Sequence, residues 1–157
     1  MELIGIIGGL SWESTAEYLR LLNQGVRARL GGLHSARLRV ATVDFAPVEA
    51  LLAAGDWSSI ATVLIGEARA LEAAGASLVL LATNTMHKVY DEIAASISIP
   101  VLHLCDVTAS AALAAGVTRV GLLGTRYTVE QDFYRDRLAR HGVAADVPGV
   151  AEQAVLQ

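Results

Sequence analysis

The sequence predicts an α/β fold built from βαβ units around a mainly parallel sheet, and three observations carry that expectation. Apolar runs at Leu3–Ile7, Leu38–Val43, Leu78–Leu81, Val101–Leu104 and Arg119–Leu123 alternate with longer stretches of helical periodicity. The first and third of these runs are continuously apolar, the habit of strands buried on both faces. Glycines close the intervening helical stretches at Gly31-Gly32, Gly55 and Gly75.

Taken in order, Leu3–Ile7 is the first strand and ends in Gly8-Gly9. Ser11 is placed to cap the next helix, with Glu13 and Ser14 in its first turn. From Trp12 to about Leu30, the residues Tyr18, Leu21, Leu22, Val26 and Leu30 recur at helical spacing. Leu38–Val43 is the second strand, and Pro47 starts a short helix ending near Gly55. Asp56 caps a longer helix through Ala74, and Leu78–Leu81 follows as a buried strand. After Thr83-Asn84-Thr85, a helix is expected from about Met86 to Ala95, then a strand over Val101–Leu104. Asp106 is placed to cap a helix through Ala115; Thr128 is placed to cap a charged helix to about His141. Ala144–Val147 reads as a further edge strand, and Val150–Leu156 as the first turns of a helix.

Composition limits what such a chain can do. Apolar residues make up 54% of the 157 positions and charged residues 18%, so a packed core is affordable and disorder is excluded. Twelve basic against sixteen acidic residues leave a net charge of −4 with no basic stripe, and no nucleic-acid partner is expected. Mean hydropathy is +0.47. The uncharged stretches, however, stop short of the roughly 18 apolar residues a spanning helix needs, and no basic n-region opens the chain. A cytoplasmic protein without membrane association is therefore expected. A single cysteine, Cys105, forms neither a disulfide framework nor a CxxC site and fits a reducing compartment.

In open α/β sheets ligands bind beyond the carboxyl ends of the strands. That rule selects the loops Gly8–Trp12, Ala82–His87 and Gly124–Thr128. The first leads into a helix N-terminus, where free N–H groups favour an anion. Its glycines, Gly5, Gly8 and Gly9, do not make GxGxxG; close helix–strand packing accounts for Gly5 and Gly8 but not for the hydroxyl of Ser11 and the indole of Trp12 just after the turn. The second places two hydroxyls and an amide, Thr83, Asn84 and Thr85, directly after a buried strand. Such short polar side chains can hold a carboxylate and an ammonium; equally, Thr85 can serve as an N-cap and Asn84 as a turn residue. The third loop repeats the pattern with Thr125 and Thr128, and GxxxxGK[ST] is absent. His34, His87, His103 and His141 show no metal-ligand spacing. His103 reads as a satisfied interior histidine on its strand, His141 as a helix C-terminal residue, and Cys105 as an inert buried thiol.

The segment Ile4–Thr15 (IGIIGGLSWEST) resembles the opening of the aspartate/glutamate racemase family. So do Gly31–Ala36 (GGLHSA), Val43-Asp44-Phe45, Thr83–Lys88 (TNTMHK), Gly124–Thr128 (GTRYT) and Glu130–Tyr134 (EQDFY). The likeness covers nearly the whole chain and is strongest to the bacterial broad-specificity branch. It implies two pseudo-symmetric, flavodoxin-like α/β domains, here 1–100 and an incomplete 101–157, and a homodimer in the full-length form. It also implies cofactor-independent inversion at the α-carbon of aspartate, glutamate or another small amino acid, with no metal. In that chemistry one cysteine thiolate removes the α-proton and an opposing thiol protonates the other face.

Carried over position by position, Thr83, Asn84 and Thr85 become substrate binders, joined by Ser11 and Thr125. The family's first acid/base cysteine falls at Ala82, which is chemically inert. The second belongs to a strand beyond residue 157, and Cys105 occupies neither position. Leu52 stands where relatives often place a long polar side chain toward the substrate's own side chain, in what the sequence suggests is a mobile loop. Three accounts follow: an N-terminal fragment of a racemase silenced at Ala82, a natural homologue that lost its first cysteine and survives as a binding protein or one-base enzyme, or a degraded or truncated reading frame. Racemase activity is expected to be low, and exposed apolar surface is expected to weaken the fold or drive self-association.

Overall fold

In the computed structural model, which describes residues 1–156, the chain forms two compact units. The first comprises Met1–Thr83 and Val89–Leu102; the second comprises Asn84–Lys88 and His103 onward. The division does not fall at a single break after residue 100. Strand pairing places Val101 and Leu102 in the first unit, and the segment after Thr83 belongs to the second.

The first unit is a four-stranded parallel sheet in the order β2-β1-β3-β4. Its strands are β1 (Ile4–Gly8), β2 (Leu38–Thr42), β3 (Leu78–Leu81) and β4 (Val101–Leu102). Register sets Ile6 opposite Val40 on one side and Leu80 on the other. Ile6, Ile7, Val79 and Leu81 are fully buried, which explains the unbroken apolar runs. Helix α1 (Trp12–Leu30) ends at Gly31, where a positive φ lets the cap N–H bond Arg27 O. Asp44 caps α2 (Phe45–Ala54) and Asp56 caps α3 (Trp57–Ala73), each accepting a first-turn backbone N–H. Helix α2 begins two residues before Pro47, which sits in the first turn, where its missing N–H has no partner to lose. Leu52 is buried within α2, so it is a core residue of a helix and not part of a mobile loop.

The expected helix over Met86–Ala95 is a 3₁₀ turn (Thr85–Val89) followed by α4 (Tyr90–Ala95). The fourth strand stops at Leu102 because His103 turns out of it: its Nδ1 accepts the Cys105 N–H at 3.1 Å and caps α5 (Leu104–Ala114). His103, not Asp106, is therefore the cap, and it lies on no strand. Asp106 sits within the first turn of α5, where it binds Arg137 and His141.

The second unit pairs β5 (Arg119–Gly121) in parallel with β6 (Ala144–Asp146). The single helix expected from Thr128 is two: α6 (Arg126–Val129), with Thr125 at its N-cap position, and α7 (Phe133–Arg140). Thr128 lies inside α6 and caps nothing. Cys105, Ala109, Tyr134, Leu138 and Val143 form this unit's apolar cluster. A last helix, α8 (Val150–Leu156), follows, and Gln157 lies outside the described residues. Among the described residues no helix is long and apolar enough to cross a membrane. Several large apolar side chains are nonetheless exposed, Trp12, Leu33 and Leu123 among them.

Candidate functional site

In the first unit, β1 and β3 are adjacent although four elements separate them in sequence, so the strand order reverses at this pair. Ligand sites of open α/β sheets form at such a switch, beyond the carboxyl ends. Gly8–Ser11 and Ala82-Thr83 both leave the sheet there. Gly8 and Gly9 are required sterically. A Cβ on Gly8 would stand 2.4 Å from Thr15 Oγ1, and one on Gly9, at φ +81°, would stand 2.5 Å from the Val43 carbonyl oxygen. The Gly9 N–H instead donates to the buried Thr15 hydroxyl at 3.0 Å.

Ser11 occupies the N-cap position of α1 without capping it. Its φ of 118° carries the side chain away from the helix's free N–H groups, and Oγ donates to Glu13 at 3.0 Å instead. Among the described residues it is the non-glycine residue with positive φ, a strained conformation of a kind that clusters at functional loops. Ala82 continues the ladder one residue past β3, donating its N–H to Ile7 O at 2.9 Å, and its side chain is fully buried beside Ile6 and Leu80. Thr83 is half-buried at the end of this unit's segment.

The second unit draws its site residues together. Thr85 Oγ1 lies 3.4 Å from Thr125 Oγ1 and 3.3 Å from Thr128 Oγ1, and the last two are 3.5 Å apart. Three hydroxyls thus form a triangle in which each can donate one proton and accept others. Thr85 spends its hydroxyl here, not on a helix cap. Beside it, Asn84 Oδ1 accepts the Tyr134 phenol at 3.1 Å. Lys88 Nζ donates to Gln131 Oε1 at 2.5 Å, and burial lowers the lysine's pKa. The segment Asn84–Lys88 is therefore held at three points by residues of the α6–α7 region. Of the expected binders, Asn84, Thr85 and Thr125 meet in this cluster, whereas Ser11, Ala82 and Thr83 belong to the first unit.

Thr128, which the sequence placed in the third candidate loop, joins them; Tyr134, Lys88 and Gln131 are additions that sequence reasoning left without a site role. The i,i+4 pair Tyr134 and Leu138, both buried, marks the inward face of α7 and was the available signal for Tyr134.

The same unit buries two imidazoles beside its apolar cluster. His87 Nε2 accepts the Leu104 N–H at 3.2 Å, and its ring meets His103 edge to face at 4.6 Å. Burial, reinforced by Arg137 and opposed by Asp106, brings the His103 pKa down to about 4. Asp106 accepts both arms of Arg137, at 2.6 and 2.7 Å, and contacts His141 Nε2 at 2.7 Å. The Arg137 bond is the main cause holding its carboxyl well below the usual carboxylate range. Cys105 is fully buried under α7, its thiol 3.9 Å from Tyr134 O, and burial pushes its pKa up to about 11. That is the environment of an inert thiol.

A separate surface cavity of about 280 Å³ lies at the end of α1, lined by Asn23, Gln24, Arg27 and Gly32–Ser35. Among the described residues no group of three or more His, Cys, Asp or Glu side chains could hold a metal ion.

Residues 7–157 match the family model described as Asp/Glu/hydantoin racemase. A Yersinia pestis protein assigned as an Asp/Glu racemase is 47% identical, with a TM-score of 0.94, over 99% of this chain and 68% of its own. An aspartate racemase homologue from Pyrococcus horikoshii is 34% identical, with a TM-score of 0.87 and the same coverage. The Picrophilus torridus aspartate racemase shares the fold, with a TM-score of 0.79 at 21% identity, over 99% of this chain and 65% of its own.

Proposed function

The chain belongs to the Asp/Glu/hydantoin racemase family, and from that premise we propose that it binds a small α-amino acid and exchanges its α-proton poorly or not at all. The observation that carries this reading is the Thr85–Thr125–Thr128 triangle beside the Asn84 amide. Neutral donors of this kind hold a carboxylate without a formal counter-charge. In a racemase they also stabilise the negative charge that spreads onto that carboxylate when the α-proton leaves.

Proton transfer needs a base, and the family's first acid/base position is Ala82, whose methyl group can neither take nor give a proton. Cys105 is no substitute. At a pKa of about 11, about one molecule in ten thousand is thiolate at pH 7, and the sulfur is sealed from solvent.

The test is incorporation of deuterium at Cα of L- and D-aspartate and L- and D-glutamate in heavy water, followed by proton NMR. We expect no exchange above the buffer rate. Exchange comparable to that of a two-cysteine relative would overturn the reading. Ala82 also favours a second reading, a non-catalytic amino-acid-binding or regulatory module. Saturable calorimetric binding without exchange, unrestored by Ala82→Cys, would select it. A homodimer of the full-length form belongs to the same proposal; for this chain the expectation is weak stability or self-association that covers its exposed apolar side chains, read by sedimentation.

A further inference from the structure

Two histidines close the start of α5. The first N–H groups of a helix have no partner within it. Here the Leu104 N–H donates to His87 Nε2 at 3.2 Å, and the Cys105 N–H donates to His103 Nδ1 at 3.1 Å. His103 is the helix's own N-cap, but His87 comes from the 3₁₀ turn Thr85–Val89, seventeen positions upstream of Leu104. The bond from Leu104 therefore ties the segment Asn84–Lys88 to the first turn of α5. An imidazole that accepts is neutral and keeps its proton on the other nitrogen. His87 thus carries its proton on Nδ1 and His103 on Nε2.

Neither ring can take a second proton in place. A charged imidazole has two donors and no acceptor, so it would set an N–H against an N–H. It would also put a cation at the positive end of the helix dipole. His87 and His103 are 3% and 5% exposed and their rings meet at 4.6 Å, so charge on one opposes charge on the other. Around His103, Arg137 and Arg140 of α7 and the following His141 add to that opposition, and Asp106 of α5 works against it. Beside His87 on the segment, Lys88 is a further cation, held by Gln131. A buried imidazolium among these groups is stabilised only by reaching water, and His87 cannot reach it without carrying the turn off α5. The contacts left to Thr85, hydroxyl pairs at 3.3 and 3.4 Å, are at the weak end of the range.

We propose that His87 is a positioning residue that acts as a proton-sensitive latch: its neutral ring holds the segment Asn84–Lys88 on α5, and protonation releases the segment while the sheet of the first unit stays folded. The latch works whatever ligand the candidate site takes.

The test follows the full chain by NMR. Long-range ¹H–¹⁵N correlations at pH 7 should show His87 protonated at Nδ1 alone, and a proton on its Nε2 overturns the latch. Backbone order parameters of residues 85–88 should then fall from about 0.85 to about 0.6 or lower between pH 7 and pH 4, while strands 4–8 and 78–81 keep theirs. A turn that stays ordered at pH 4, or one that melts together with the sheet, overturns the proposal. His87→Gln supplies a carbonyl acceptor that does not titrate, so its turn should stay ordered at both pH values. His87→Phe, which keeps a ring and has no acceptor, should be loose already at pH 7. Equal pH profiles in the unmodified chain and His87→Gln would remove His87 from the explanation and overturn the latch.

Discussion

The two units are held together by different physics. The first is a dry sheet: Ile6, Ile7, Ile60, Leu64, Val79 and Leu81 are all fully buried, and Thr15 is its one buried polar side chain among the described residues. The second has a two-stranded sheet and a smaller apolar cluster, and it contains the other three buried polar side chains, His87, His103 and Thr128. Buried polar groups are tolerated only where hydrogen bonds satisfy them. Here those bonds fix the ends of helices and the segment Asn84–Lys88, so the unit that assembles the candidate site also has an interior sensitive to protonation.

The largest expected effect tests the apolar side of that contrast. Ile60→Ala should cost about 4 kcal/mol and Leu138→Ala about 3 kcal/mol, because the thinner cluster around Leu138 can relax into the space. Both are read by urea denaturation. A larger loss at Leu138 would break the comparison.

The next effect is pH dependence. The folded His103 has a pKa of about 4 against an ordinary 6.5. Between those values the unfolded chain binds a proton that the folded chain refuses, so stability falls as pH falls through that window and levels off below it. The expected loss is about 3 kcal/mol between pH 7 and pH 4. His103→Asn keeps a side-chain acceptor for the Cys105 N–H and removes the titration, so its denaturation midpoint should vary less over the same range. Asp106 acts in a lower window. Its carboxyl is depressed by Arg137 and His141, so its contribution is present above the ordinary aspartate value and is lost only as pH drops below it. Equal pH dependence in the native chain and His103→Asn would remove histidine burial from the explanation.

The same contrast decides what could be read from the sequence. Strands β1 and β3 were legible because burial on both faces writes itself as a continuous apolar run. Helix ends at Gly31, Gly55 and Gly75 were legible because each needs the positive φ that glycine supplies. The second unit was harder to read. Val129 and Phe133 stand four residues apart across the interruption between α6 and α7, as on one helix, so periodicity does not register it. His103 looked like a strand residue because nothing in an apolar neighbourhood marks an imidazole as a helix cap. For the candidate site, the threonines and Asn84 were legible by their place after apolar strands. Tyr134 was not, since its role depends on a hydrogen bond spanning fifty positions of sequence.

The central claim is that the Asn84, Thr85, Thr125 and Thr128 cluster holds an amino-acid carboxylate. The most direct measurement is a ¹⁵N NMR titration of the chain with L-glutamate. Saturable shifts centred on the amides of those four residues are predicted. Shifts confined to the Gly32–Ser35 cavity at the end of α1, or none at all, would contradict it.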